Sequence, residues 1–138
     1  MQQINFGNID ADGDGPTIGD TTESRYARDI VTTFGADAFD AIEIGGLMFV
    51  NGDCVEPCTE PSDVPAFFSV YLHYADGHGH GVECVGDFAT AARARAYAAQ
   101  IRDVFGWPIA IDRTPDESDT EYEREMSDKE SAFRPAER

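Results

Sequence analysis

The stretch that most limits this chain's possible folds is Ala66–Phe88. Ala66–Ala75 (AFFSVYLHYA) is a run of aromatic and β-branched residues, the composition of a strand packed on a half-buried surface. Asp76–Gly81 (DGHGHG) is a turn, and Val82–Phe88 runs back from it, so the two arms predict an antiparallel hairpin. The register that gathers the most apolar side chains puts Phe68, Val70, Leu72 and Tyr74 on one face with Val82, Cys84 and Phe88.

A sheet face of this kind needs cover, and the next segment supplies it. Thr90 is a cap residue, and Ala94, Tyr97, Ala98, Ile101, Val104 and Phe105 recur at helical spacing before Gly106. Trp107–Asp112 (WPIAID) then reads as a last short strand. Upstream, Asp20-Thr21-Thr22-Glu23 has the form of a capping box, and Tyr26, Ile30, Val31 and Phe34 predict a first helix over 21–34. Between the two helices, Ile42–Val50 is strand-like, Asn51-Gly52 is a hairpin turn signal, and Asp53–Glu56 forms the return arm. The fold class expected is α+β: a mostly antiparallel sheet of four or five strands, two helices on one face, and the order α-β-β-β-β-α-β. Residues 1–19 read as an irregular acidic arm, 20–112 as a single domain, and 113–138 as a charged, mobile tail.

With 138 residues and a 41% hydrophobic content, the chain can build one real core. No run is long enough to span a bilayer, and the N-terminus has no basic head or apolar body of a leader, so a cytoplasmic protein is expected.

Charge narrows the partners. The formal net charge is −17, of which −13 belongs to residues 1–112 and −4 to the remainder, so the folded part is itself anionic. Such a surface repels phosphate backbones and anionic lipid heads and attracts basic protein surfaces. Direct nucleic-acid binding and membrane binding are therefore not expected; a basic protein partner is. Solubility or adaptation to high salt is the competing explanation, and the presence of a single lysine, Lys129, agrees with it.

Two constellations have metal-ligand character. Cys54 and Cys58, with His80 and Cys84, offer thiolate and imidazole ligands of the type that hold zinc, although the spacing is not that of a two-residue knuckle. Asp10, Asp12 and Asp14, with Gly15 after them, resemble the first half of a calcium loop, but the twelfth position is Thr21 rather than a bidentate glutamate. Odd in number and few, the three cysteines do not make a disulfide framework. For catalysis the sequence offers only His73 as a base and Cys84 as a nucleophile, with no nucleophile elbow and no phosphate-binding glycine loop, and no enzyme is expected.

The expectation for function is thus a small protein-binding inhibitor that occupies a basic, nucleic-acid-binding surface of its partner. Small anti-restriction, anti-CRISPR and immunity proteins share this logic through size and charge, not through any motif found here. The carboxylates best placed at element ends to do so are Asp37, Asp40 and Glu43, with Glu56, Glu60 and Asp63 in the proline-rich loop. The alternative is a zinc-stabilised accessory domain whose acidity serves solubility.

Overall fold

The computed structural model describes residues 4–11, 14–50, 54–60 and 62–114. Three two-residue strands come first: β1 (Thr17–Ile18), β2 (Thr21–Thr22) and β3 (Ser24–Arg25). Helix α1 (Ala27–Phe34), β4 (Phe39–Val50), β5 (Cys54–Pro57), β6 (Phe67–Tyr74), β7 (Val82–Phe88), α2 (Ala91–Phe105) and β8 (Ile109–Asp112) follow. From α1 onward this is the expected α-β-β-β-β-α-β order, in a mixed fold with a mostly antiparallel sheet.

The main sheet has the order β3-β7-β6-β4-β5, and β8 also pairs with β4. Strand β4 is twelve residues long. Its first half lies beside β8, in a parallel pairing, and its second half beside β5. Both helices bury their apolar stripes on the same side, because Val31, Ala94, Tyr97 and Ile101 join Ile42, Ile44, Val70, Leu72 and Phe88 in a single core. Helix α2 starts and stops where its residues direct: the Thr90 hydroxyl accepts from the Arg93 amide, and Gly106, at φ 80°, closes it in the left-handed conformation.

Helix α1 is shorter than 21–34, and the reason is local. Thr21–Thr22 and Ser24–Arg25 pair as strands, with β1 and β7 respectively, and Glu23 turns inward instead of closing a capping box. The first turn of α1 is served from elsewhere. The Arg28 amide donates to Asp10 Oδ2 at 2.8 Å, and the Ala27 amide donates to the Tyr97 hydroxyl at 3.1 Å. The N-terminal arm is accordingly tied down: Ile9 is fully buried, and the Arg28 guanidinium donates to the Ile9 carbonyl and lies over the Phe6 ring.

The β6–β7 hairpin forms, but its register corrects the expectation for Val82 and Cys84. Phe68 is opposite Phe88 and Val70 opposite Gly86, then the register shifts and Tyr71 stands opposite Cys84. The extra residue, Val85, enters the core, and this bulge sends Cys84 and Val82 to the other face. At the β4–β5 hairpin, Val50 is opposite Cys54. The Asn51-Gly52 turn lies outside the described residues, as does the tail from residue 115 onward.

Candidate functional site

The helices cover one side of the sheet; among the described residues, neither helix lies over the other. Strand pairing arranges that open face in rows. Ala41, His73 and Val82 form one; Glu43, Tyr71 and Cys84 the next; Gly45, Ser69, Asp87 and Ser24 a third. Beyond them lie Pro57, Leu47 and Phe67, then Val55 and Phe49. The face is therefore charged at one end, hydroxyl-rich in the middle and apolar at the hairpin end, where Phe49 is 58% exposed against the Phe67 ring.

The middle is a connected network. Ser69 Oγ donates to Asp87 Oδ1 at 2.6 Å, the Tyr26 hydroxyl donates to Cys84 Sγ at 3.2 Å, and Tyr71 bonds Ser69. Burial, with the nearby Asp87 carboxylate adding to it, holds the Cys84 thiol above its ordinary range, which disfavours the thiolate a nucleophile needs. Burial and the bond to Cys84 likewise push Tyr26 up. At the charged end, His73 Nδ1 lies 2.8 Å from Asp40 Oδ1. This bond raises the imidazole above its usual value, with Glu43 and Asp76 contributing at longer range. His73 and Cys84 thus answer to separate neighbours: Asp40, Glu43 and Asp76 for the first, Tyr26, Gly86 and Asp87 for the second.

The expected partner-binding carboxylates divide into two groups. Asp40 is exposed, and Glu43 is half-buried on the open face; Asp37 is exposed in the turn before β4. Glu56 is opposite Met48, eight residues along β4 from Asp40, about 26 Å at the rise of an extended strand. Glu60 is exposed in the loop after β5, whereas Asp63 folds that loop, accepting from the Thr59 and Glu60 amides at 2.9 and 3.0 Å.

The metal expectations are not met by the geometry. Cys54 on β5 and Cys84 on β7 are separated by β4 and β6, at least about 14 Å at ordinary strand spacing. Cys58 follows β5, while His80 lies in the β6–β7 turn at the other end of the sheet. Both oxygens of Asp10 are occupied by Arg28 and Tyr97, Asp14 is exposed, and Asp12 lies outside the described residues. No group of three or more His, Cys, Asp or Glu side chains among the described residues is arranged to hold a metal ion.

Sequence reasoning missed the half-buried Tyr26, Tyr71 and Asp87 and the buried Ser69 as one polar network on this face. The signal was present in β6, where Ser69, Tyr71 and His73 are the polar phase of an alternating strand. It also missed the distribution of bases. Between Arg28 and Arg93 there are eleven Asp or Glu residues and no Lys or Arg, and this is the segment that builds β4, β5, β6 and β7. Arg93, Arg95 and Arg102 all belong to α2, and Arg113 follows β8 at the sheet margin, its amide bonded to the Ile44 carbonyl.

No helix among the described residues is long and apolar enough to cross a membrane. No family model, curated protein or solved structure matches the chain.

Proposed function

We propose that this protein is a non-catalytic inhibitor that docks its open acidic sheet face on a basic, nucleic-acid-binding surface of a partner protein. One observation carries the reading: the segment that builds β4–β7, residues 39–88, has nine acids and no Lys or Arg, and among the described residues one face of that sheet has no helix over it. Asp40, Glu43 and Asp87 supply charge for steering, and Tyr26, Tyr71 and Phe67 supply aromatic contact area of the kind enriched at interfaces. Nucleic acid and anionic membranes are repelled by the same field, so the partner is a protein. A cytoplasmic setting, where nucleic-acid-binding proteins work, goes with this reading.

The test is capture of a partner from the native host, followed by binding measurements across a salt series with the partner's nucleic acid as competitor. Affinity that falls steeply with salt and is abolished by that nucleic acid supports the proposal. The double variant Asp40→Lys, Glu43→Lys should slow association more than it speeds dissociation, by about tenfold in rate. A partner whose binding is indifferent to salt and to nucleic acid overturns it. If the charge serves only solubility, the double variant changes salt tolerance and no binding rate.

A further inference from the structure

The open face ends in an apolar patch at the β4–β5 hairpin. Leu47, Pro57 and Phe67 share one row and Phe49 and Val55 the next, so five uncharged side chains stand together beyond Ser69 and Asp87. Phe49 is 58% and Val55 42% exposed, Pro57 is exposed, and the Phe49 and Phe67 ring centroids are 5.8 Å apart. Apolar side chains scattered singly over a surface are ordinary, but a contiguous group two rows deep marks a contact site. Two copies of the chain are a poor match for it. The patch offers on the order of a few hundred Å², against about 800 Å² for each side of a standard stable interface. Strand addition at its edge is hindered as well. The Cys58 amide donates to the Gly46 carbonyl, so the preceding residue, Pro57, turns its backbone to the outer edge of the sheet, where it has no N–H to offer. A second copy would also bring a formal charge of −17 against another −17. The patch is instead continuous with the acidic rows: six residues of extended β4 separate Glu43 from Phe49, about 20 Å.

We infer that this patch is the anchor for the basic partner protein, taking a large apolar side chain that the partner carries about 20 Å from its cationic cluster. The inference rests on the docking proposed above and divides its work between the two ends of the face. The acidic rows set the rate of association, because charge acts at a distance. The apolar end sets the residence time, because well-packed, desolvated contacts hold an interface once it has formed. Charge alone would accept any polycation. A fixed separation between charge and anchor selects among basic proteins: one without the apolar side chain leaves Phe49 in water, and one without the cations meets Asp40 and Glu43 uncompensated.

Two synthetic peptides test it by titration of the isotope-labelled full chain, followed by amide chemical shifts. Both have six arginines and then six prolines, a stiff spacer of about 19 Å, and they end either in Trp-Leu or in Gly-Ser. The Trp-Leu peptide should bind about tenfold or more tightly than the Gly-Ser peptide, as burial of one large apolar side chain does, and shift residues 47, 49, 55 and 67 as well as 43. Phe49→Ser should erase that gain and leave binding of the Gly-Ser peptide unchanged. Val55→Ser, on the exposed edge strand, should reduce the gain too and keeps the test open if Phe49→Ser does not fold. Equal affinity for the two peptides, or a gain that survives the substitutions, overturns the anchor and leaves the docking reading standing. No shift at Glu43 with either peptide at low salt overturns the docking reading, and the anchor with it. A dimer in sedimentation equilibrium that Phe49→Ser dissociates, or adsorption to phosphatidylcholine vesicles that Phe49→Ser abolishes, gives the patch another occupant and overturns the inference.

Discussion

Tyr97 of α2 and Asp10 of the N-terminal arm, 87 residues apart in sequence, are joined by a 2.5 Å hydrogen bond from the phenol to Oδ1. The same hydroxyl accepts from the Ala27 amide, and the other Asp10 oxygen accepts from the Arg28 amide. One phenol and one carboxylate thereby satisfy two of the orphan donors at the start of α1 and fix the arm to both helices.

Tyr97→Phe removes that junction and leaves the Ala27 amide unpaired in a buried position. Stability should fall by about 2 kcal/mol, the cost of a buried donor losing its acceptor. Amide exchange should accelerate in residues 4–11 and in the first turn of α1. A thermal melt and an exchange experiment read the two effects, and an unchanged melting temperature would count against the junction.

Alkaline pH should unfold the protein through its tyrosines. Burial, reinforced by the bond to Asp10, raises Tyr97, and burial with the bond to Cys84 raises Tyr26. The unfolded chain loses these protons near pH 10 while the native state retains them, so stability falls as pH rises above about 10. Ultraviolet titration should show at least two phenols silent in the native protein that ionise on unfolding.

The His73–Asp40 pair has the same sign in a lower pH window. Because the bond raises the imidazole, its stabilisation is full below the unfolded value near pH 6.5 and is lost as pH rises through the folded one. Asp40→Asn should lower the His73 titration midpoint measured by magnetic resonance; a midpoint that stays put means that Asp40 is not the cause.

Gly86 sits at the β7 bulge, where an added Cβ would meet the Ser24 carbonyl oxygen at 2.8 Å and the Phe88 ring at 2.9 Å. Neither can move freely, one being backbone of the paired strand and the other core. Gly86→Ala should cost about 1–3 kcal/mol, in the range of overpacked sites. A chemical denaturation midpoint equal to the parent's would show that the bulge relaxes.

The thiols should react in an order set by exposure. Cys54 is exposed on an edge strand, Cys58 is half-buried with its thiol raised by burial, and Cys84 is raised by burial within the open-face network. A thiol reagent near neutral pH should label Cys54 first and Cys84 last. Zinc or a chelator should leave the melting temperature unchanged, since Cys54, Cys58, His80 and Cys84 do not converge.

The elements that alternate or repeat cleanly were legible in the residues. Helix α2 and strands β6 and β7 follow from their own patterns, and Gly106 marks the end of α2 in sequence and in structure alike. What escaped depends on distant partners. Glu23 has the spacing of a capping-box residue, and only Arg93, 70 residues away, turns it inward. Cys84 looked like a core thiol because alternation was counted straight through Val85, where the strand bulges. The open face is a product of assembly. It collects residues from segments that no local window spans, and only the polar phase of β6, Ser69, Tyr71 and His73, announced it in the sequence.

Because Asp10 binds Tyr97, the N-terminal arm has its docking site on an element made 87 residues later. During translation the arm, with Ile4, Phe6 and Ile9, has no core to enter until α2 has emerged, and α1 lacks the groups that serve its first turn. Closing the molecule therefore requires contacts of high sequence separation, the kind that slow folding. Until Phe105 is in place the arm has no finished partner, and the like charge of the chain opposes association of its apolar residues with neighbouring molecules.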